Sequence, residues 1–405
     1  MSTLEDRLQH IIHHAYAHAA AVRALFDRAG LTPDDIRTVA DLDRIPVTSK
    51  DRLAALQAEA PPFGGFLAVP FDRLRHVFLS PGPLYEAHGA DSAVVDTVRA
   101  ALDIAGFTAG DIVLNTFGYH LIPTGLMFDE TLRERGATVI PAGVGNADLQ
   151  VKMMLDLGVT GYVGTPSWLM ALLQKAAETV PDLSQRLRLR KVLVSAEPLP
   201  PAMRQVFVER YGLRVTNAYG TAELGFLAYN TEGGLAMRLL ETGIVQVVNP
   251  ETGQSVAPGE TGEVVGTTFD ETYPLIRLGT GDLAMLIDPA PGQSRQGDRS
   301  IILVGRVGDA VKVRGMFVHP NQLRFAVGQV PGVTRFQGVV TRPEYRDEFT
   351  LRVAAGEEAD RPALEQALRQ AVQAACRVRL DHIEWVAADA IDDKAGLIVD
   401  RRTWT

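Results

Sequence analysis

Three short segments place small and polar residues where an apolar run gives way to a turn. They are Thr165-Pro166-Ser167-Trp168, Ser195-Ala196-Glu197-Pro198 and Asn217-Ala218-Tyr219-Gly220-Thr221-Ala222-Glu223. Any one of them is ordinary, because Ser, Thr, Gly and Pro serve caps and turns on their own account. Three in register along one sheet are a candidate ligand edge, since open α/β sheets bind ligands beyond the carboxyl ends of their strands. An aromatic ring beside a carboxylate, Tyr219 with Glu223, suits a purine and a divalent cation. Downstream, Asp282 follows Gly279-Thr280-Gly281. An Asp so placed accepts hydrogen bonds from both hydroxyls of a ribose, although the triplet alone reads equally well as a turn. The stretch Gly305 to Gly315 mixes glycine with Arg306, Lys312 and Arg314, as a hinge would. Lys394 stands beside Gly396 in a loop with acids before it and Arg401-Arg402 after it; without context such a lysine serves solubility.

These residues need a scaffold, and the apolar pattern supplies one. Leu4 to Ala29 has helical spacing and closes at Gly30, and Thr48-Ser49-Lys50-Asp51 opens another helix. From residue 111 five β-rich runs alternate with helices: 111–115, 137–140, 159–163, 191–195 and 213–217. That rhythm predicts a mostly parallel, helix-covered sheet. After Gly225 short strands with Gly and Pro turns predict a distorted antiparallel sheet or barrel. Composition shifts again near residue 305. Asp360-Arg361-Pro362 starts a helix whose Leu364, Leu368 and Val372 share a face, flanked by strands at 349–354 and 382–386. The expected class is α/β, with a large N-terminal domain (1–304) and a small mobile α+β C-terminal domain (305–405).

Bulk properties exclude several functions. A chain of 405 residues exceeds the usual single core. Its net charge of −9 comes without any Lys/Arg block, so neither nucleic acid nor anionic lipid is an expected partner. Apolar runs are interrupted well before the ~18 residues of a membrane span. Met1 to Leu8 is polar and does not read as a signal peptide. One cysteine, Cys376, excludes an intrachain disulfide and a multi-cysteine metal cage. His13, His14 and His18 read as a solvated helix face. No G-x-G-x-x-G follows a predicted strand, which sets a dinucleotide oxidoreductase aside. A cytoplasmic location is the expectation.

Taken together and in order, the segments resemble the adenylate-forming superfamily and, within it, the phenylacetate–coenzyme A ligase family. The resemblance begins at Pro62-Phe63-Gly64-Gly65-Phe66-Leu67-Ala68-Val69-Pro70 and ends at Lys394, so it spans nearly the whole chain. It implies ATP, Mg²⁺ and coenzyme A as cofactors and a small, compact or aromatic carboxylic acid as substrate. It further implies that Ser195, Ala196, Glu197, Pro198, Asn217, Ala218, Tyr219 and Gly220 surround the adenine. Glu223, with Thr221 beside it, would hold Mg²⁺; Asp282 would bind the ribose and Arg306 the nucleotide near the hinge. Lys394 would offset charge on the α-phosphate as pyrophosphate leaves. Arg314 and Gly315 would flank a thiol path opened by rotation of the small domain. Phe117, Tyr119, His120, Thr165, Pro166 and Trp168 are the expected substrate contacts. Dimerisation through the large domain is ordinary for such enzymes.

The chain departs from the family pattern in three places. Where the family has a phosphate loop rich in Ser, Thr and Gly and followed by Lys, this chain reads Leu79-Ser80-Pro81-Gly82-Pro83-Leu84-Tyr85-Glu86. Two prolines remove amide donors and the lysine is absent. Ala222 replaces a hydroxyl residue before Glu223, and Gly308 replaces a charged hinge residue. Three readings therefore stand: an acyl-CoA ligase, a relative that passes the acyl group to a carrier-protein thiol or an amine, and a non-catalytic binding homologue.

Overall fold

The computed structural model describes residues 3–402 apart from 81, 91, 308–310, 315, 319, 357, 358, 377, 393 and 394. Two compact units emerge, residues 1–195 with 204–307, and residues 196–203 with 308–405.

The first unit opens with α1 (Leu4–His18), α2 (Ala20–Ala29) and α3 (Lys50–Glu59). Thr3 and Asp6 form a reciprocal capping box at the start of α1. Leu8, Ile11, Ile12 and Ala15 make its buried stripe. The sequence pattern predicts one helix over 4–29, but the chain breaks at Ala19, which is extended. Two contacts explain the break. Arg23 donates to the Tyr16 and Ala17 carbonyls and so caps α1, while the Ala21 amide donates to Gly65 O at 2.9 Å. Neither partner is visible to local propensity. Leu8 of α1, Phe26 of α2 and Leu53 of α3, with Ile36 and Leu42 from the turns between α2 and α3, join Leu239, Val247 and Val264 of the sheet in one core. Each such side chain contributes about 1.5–3 kcal/mol on full burial.

A hairpin of β1 (His76–Ser80) and β2 (Leu84–His88) precedes α4 (Ala93–Ala105). The alternation then runs β3 (Ile112–Asn115), α5 (Thr124–Glu134), β4 (Thr138–Pro141), α6 (Ala147–Asp156), β5 (Gly161–Gly164) and α7 (Pro166–Thr179). It continues through α8 (Leu183–Arg186), β6 (Lys191–Val194), α9 (Pro201–Gln205) and β7 (Arg214–Thr221). Strands β3 to β7 are parallel, as expected. The strands after Gly225 do not form a detached barrel. β8 (Gly225–Asn230), β9 (Met237–Leu239), β10 (Ile244–Val248), β11 (Thr261–Thr267), β12 (Leu278–Ile287) and β13 (Ser300–Arg306) extend the same sheet antiparallel. The eleven strands run β10-β11-β12-β13-β9-β8-β7-β6-β5-β3-β4. β7 is the junction, parallel to β6 on one side and antiparallel to β8 on the other.

In the second unit, β14 (Val311–Val313) pairs with β15 (Met316–Val318), followed by α10 (Pro320–Gly328). A four-stranded sheet of order β18-β17-β16-β19 comprises β16 (Val333–Thr341), β17 (Glu348–Ala355), β18 (His382–Trp385) and β19 (Ile398–Asp400). Helix α11 (Arg361–Cys376) begins where Asp360 accepts the Ala363 amide, and it buries Leu368 and Val372. Among the described residues no helix is long and apolar enough to cross a membrane.

Candidate active site

The β7–β8 turn organises the first cluster. Gly220 is required there, because a Cβ would lie 2.2 Å from the Gly225 carbonyl oxygen. The irregular pairing at Tyr219 and Gly220 leaves the Tyr219 ring buried. Its hydroxyl donates to Asp282 Oδ2 at 2.9 Å and lies 3.4 Å from Thr280 Oγ1. Burial first, and the Asp282 carboxylate second, hold the Tyr219 phenol well above its ordinary value, so it remains a donor. Asp282 follows Gly281, whose φ of 74° suits glycine, and is the cross-strand partner of Arg306. Arg306 Nε lies 3.4 Å from Asp282 Oδ1. Three residues expected at the nucleotide thus converge, with carboxylate lone pairs still open to hydroxyl donors.

Glu223 occupies the same turn and is almost wholly buried. Lys50 Nζ donates to Glu223 Oε2 at 2.8 Å. Burial alone would raise the Glu223 carboxyl; Lys50, its backbone and Thr221 outweigh that and keep it below the usual range. Thr221 Oγ1 also accepts the Leu224 amide, which closes the turn. Lys50 is the first residue of α3, with Ser49 as N-cap. A cation is disfavoured at a helix N-terminus, so another force must hold it there. That force includes Arg277, which is fully buried. It donates to the carbonyls of Leu42, Ile45 and Gly253. The Thr48 amide meets Arg277 O at 3.0 Å, and the Gly279 amide meets Thr48 O at 2.9 Å. Strand β12 therefore carries Asp282 and also anchors the segment that delivers Lys50.

The third carboxylate is Glu86 on β2, 2% exposed, whose oxygens accept no well-formed hydrogen bond and whose Oε2 lies 3.9 Å from His88 Nε2. Burial, then the Glu223 charge, push its carboxyl well above the carboxylate range; Ser80 and Lys50 offset this only in part. Gln57 of α3 grips the neighbouring Tyr85 through both backbone groups at 2.8 Å and reaches the Tyr273 hydroxyl at 2.9 Å.

Lys50 and Glu86 are functional candidates that sequence reasoning missed. The anomaly of a lysine at a helix start was a usable signal for the first. For the second it was period-two alternation, which puts Glu86 on one hairpin face with Leu84 and His88.

The remaining expected positions lie as follows. Ser195 directly follows β6 and is buried, its amide meeting Gly164 O at 3.1 Å. Ala196, with a φ of 70°, and the buried Glu197 and exposed Pro198 group with the second unit. Asn217 and Ala218 are on β7. Phe117 stacks on Phe128 with centroids 5.1 Å apart and is buried. The Tyr119 hydroxyl accepts from Asn115 Nδ2 at 2.8 Å, and His120 is exposed. Thr165 caps α7, Pro166 is its buried first residue, and Trp168 Nε1 donates to Gln150 Oε1 at 2.9 Å. Arg314 binds Asp381 through Nη1, with 2.8 Å to each carboxylate oxygen. Gly315 and Lys394 lie outside the described residues.

Comparison with known proteins places this geometry in a class. The AMP-binding enzyme family model matches residues 93–267. Phenylacetate-coenzyme A ligase of Thermus thermophilus is 31% identical over 87% of this chain and 81% of its own length. The Escherichia coli enzyme of the same name is 30% identical over 86% and 80%. A crystal structure of 2-hydroxyisobutyryl-CoA ligase with 2-HIB-AMP and CoA superposes with a TM-score of 0.88 at 26% identity, covering 99% of this chain and 89% of that one. The fold and these relatives define an AMP-forming acid–thiol ligase. The chain belongs to the adenylate-forming superfamily, in its phenylacetate–coenzyme A ligase-like family.

Proposed function

We propose that this enzyme uses ATP and Mg²⁺ to convert a compact aromatic carboxylic acid to its acyl-adenylate and then passes the acyl group to coenzyme A. The convergence of Tyr219, Asp282 and Arg306 carries the reading. It presents a carboxylate with two oriented neighbours, suited to a ribose, and one of them, Tyr219, stands just before the Glu223 turn. In the first step the substrate carboxylate oxygen attacks the α-phosphorus and pyrophosphate leaves; in the second the thiolate attacks the acyl carbon and AMP leaves. Asp282 would accept the ribose hydroxyls, with Tyr219 and Arg306 holding its orientation. Ser195, Ala196, Glu197, Pro198, Asn217, Ala218 and Gly220 would surround the base.

Glu223 is a buried carboxyl held below the usual range, the donor type a divalent cation takes. Lys50 on Oε2 is the charge such an ion would have to displace or share. When bound, Mg²⁺ supplies charge neutralisation for the phosphates. Residues 305–405 would act as the lid, bringing Lys394 to the α-phosphate and Arg314 and Gly315 to the thiol path. Phe117, Tyr119, His120, Thr165, Pro166 and Trp168 would wall the acid. The ligases named after phenylacetate support an aromatic acid, and 2-hydroxyisobutyryl-CoA ligase keeps compact aliphatic hydroxy acids in the test.

The test is AMP release from ATP and Mg²⁺ over a panel of aryl and short aliphatic acids, with and without coenzyme A, beside Lys394→Ala. Acid- and CoA-dependent AMP formation, lost in the variant, is the expected result. AMP formed only with another thiol or an amine keeps adenylation and discards coenzyme A. Silence across the panel, with AMP still bound, overturns catalysis in favour of the binding homologue.

A further inference from the structure

Three neighbouring parallel strands, β5, β3 and β4, deliver their carboxyl ends to one rim of the sheet. Ligands of open α/β sheets bind beyond such ends. The loop after β3 carries Phe117, Tyr119 and His120, and Thr165 to Trp168 follow β5. The loop after β4, residues 142–146, shares this rim but holds none of the residues expected at the acid. It turns through left-handed backbone at Gly143, Gly145 and Asn146, with φ of 61°, 91° and 57°, and its Val144 is 80% exposed. A Cβ added at Gly143 or Gly145 would meet no atom within 4 Å, so packing at these two positions does not fix the loop. Hydrogen bonds from two buried residues do. Asn115, the last residue of β3, accepts the Ala142 and Gly143 amides on its carbonyl oxygen at 3.0 Å each. Its Nδ2 donates to the Tyr119 hydroxyl and to Gly125 O, both at 2.8 Å. Gln150 of α6, 2% exposed, donates to Gly143 O at 3.0 Å and to Gly145 O at 2.7 Å, while its Oε1 takes the Trp168 indole at 2.9 Å. It thus joins the loop of β4 to the helix after β5, although β3 lies between those strands.

We propose that Gln150 is a positioning residue for acid selection: it locks the Trp168 indole to residues 142–146 and makes that loop a third wall of the acid site. The inference rests on the proposed function, in which Tyr119 and Trp168 wall the acid. The terminal torsion of an indole side chain is broad, so one bond from the ring nitrogen to an anchored amide selects the plane that a substrate meets. The amide itself is locked. Exchanging its oxygen and nitrogen would set an NH₂ against the indole N–H and an oxygen against two carbonyls. Loop position and ring position are therefore one variable, and a shift in either is passed to the other through Gln150. With its N–H committed to Gln150, the Trp168 ring offers the acid an apolar face, which suits an aryl or compact aliphatic body.

The experiment measures kcat and KM for the acid and for ATP by AMP release from the full chain, with phenylacetate and 2-hydroxyisobutyrate in the acid panel. Gln150→Ala should lower kcat/KM for the acid by about 10- to 100-fold, mostly through KM. The KM for ATP should stay unchanged, which also shows that the variant is folded. Gln150→Glu, when ionised, keeps an acceptor for the indole but loses both donors to the loop, and should raise the acid KM as well. It fills the same space, so it reads the role even if the alanine variant does not fold. Trp168→Phe keeps the loop and removes the indole N–H. Combined with Gln150→Ala it should cost less than the product of the two single losses, since both break one bond. An unchanged acid KM in the Gln150 variants overturns the assignment. So do acid and ATP KM rising together, which a merely structural residue would give, and losses that simply multiply. The proposed function fails separately: a wild type that forms no AMP from any acid removes the reaction, and the acid site with it.

Discussion

Two clusters of buried acids lie within one unit, and they are built on opposite terms. Around Asp282 each partner is in place: Tyr219 donates to one oxygen, Arg306 stands by the other, and the Asp282 amide meets Thr280 Oγ1 at 3.1 Å. Around Glu223 the carboxylate takes Lys50 at 2.8 Å, whereas Glu86 accepts no hydrogen bond and has the His88 ring nitrogen 3.9 Å from Oε2. The first cluster is the more nearly finished by folding, with Asp282 lone pairs left for hydroxyl donors. The second leaves a buried carboxyl without a hydrogen bond, which costs the fold stability. Identical chemistry, an acid made into its amide, should therefore have opposite effects on stability in the two places.

The largest expected effect breaks both clusters at once. Arg277→Met removes donors from two buried carbonyls and a half-buried one and loosens the segment that carries Lys50 against β12. Chemical denaturation should register a loss of about 3–5 kcal/mol, with AMP affinity falling alongside. Next, Asp282→Asn should destabilise by about 1–3 kcal/mol, since it weakens bonds to a charged acceptor. It should also weaken AMP binding about 10- to 100-fold by calorimetry; unchanged affinity would remove Asp282 from the nucleotide site. Tyr219→Phe deletes one hydroxyl and should cost about 1 kcal/mol in the same unfolding assay. Smallest and opposite in sign, metal-free Glu86→Gln should be neutral or more stable by up to about 1 kcal/mol, because it relieves an unpaired buried acid. A clear loss of stability there would mean that Glu86 already has its partner, and the contrast between clusters would collapse.

The finished cluster was legible in the sequence, and of the unfinished one Glu223 alone was. Tyr219, Glu223, Asp282 and Arg306 sit at strand ends and turns where glycine and hydroxyl residues mark the chain locally. Lys50 and Glu86 acquire meaning only through partners far away: Lys50 meets Glu223 across 173 positions. Read locally, Lys50 is a helix start and Glu86 the end of an altered loop. The parallel strands were equally legible, down to β6 at Lys191–Val194. The continuity of β8–β13 with them was not, because strand order depends on which edges meet and not on hydrophobic period. Likewise the break at Ala19 lies in an alanine-rich stretch that favours helix, and only the Gly65 carbonyl and the Arg23 side chain reveal it.

Helix α3 holds the unfinished cluster by both hands, with Lys50 at its first turn on the Glu223 turn and Gln57 near its last on the hairpin strand beside Glu86. Seven residues of helix advance about 10 Å, and each residue turns the chain by about 100°. The helix is thus a calliper whose jaws are set by residue count. One residue inserted between Lys50 and Gln57 would swing one jaw off its target, so this gap can be retuned only in whole turns, and length in α3 is as constrained as any side chain that it carries.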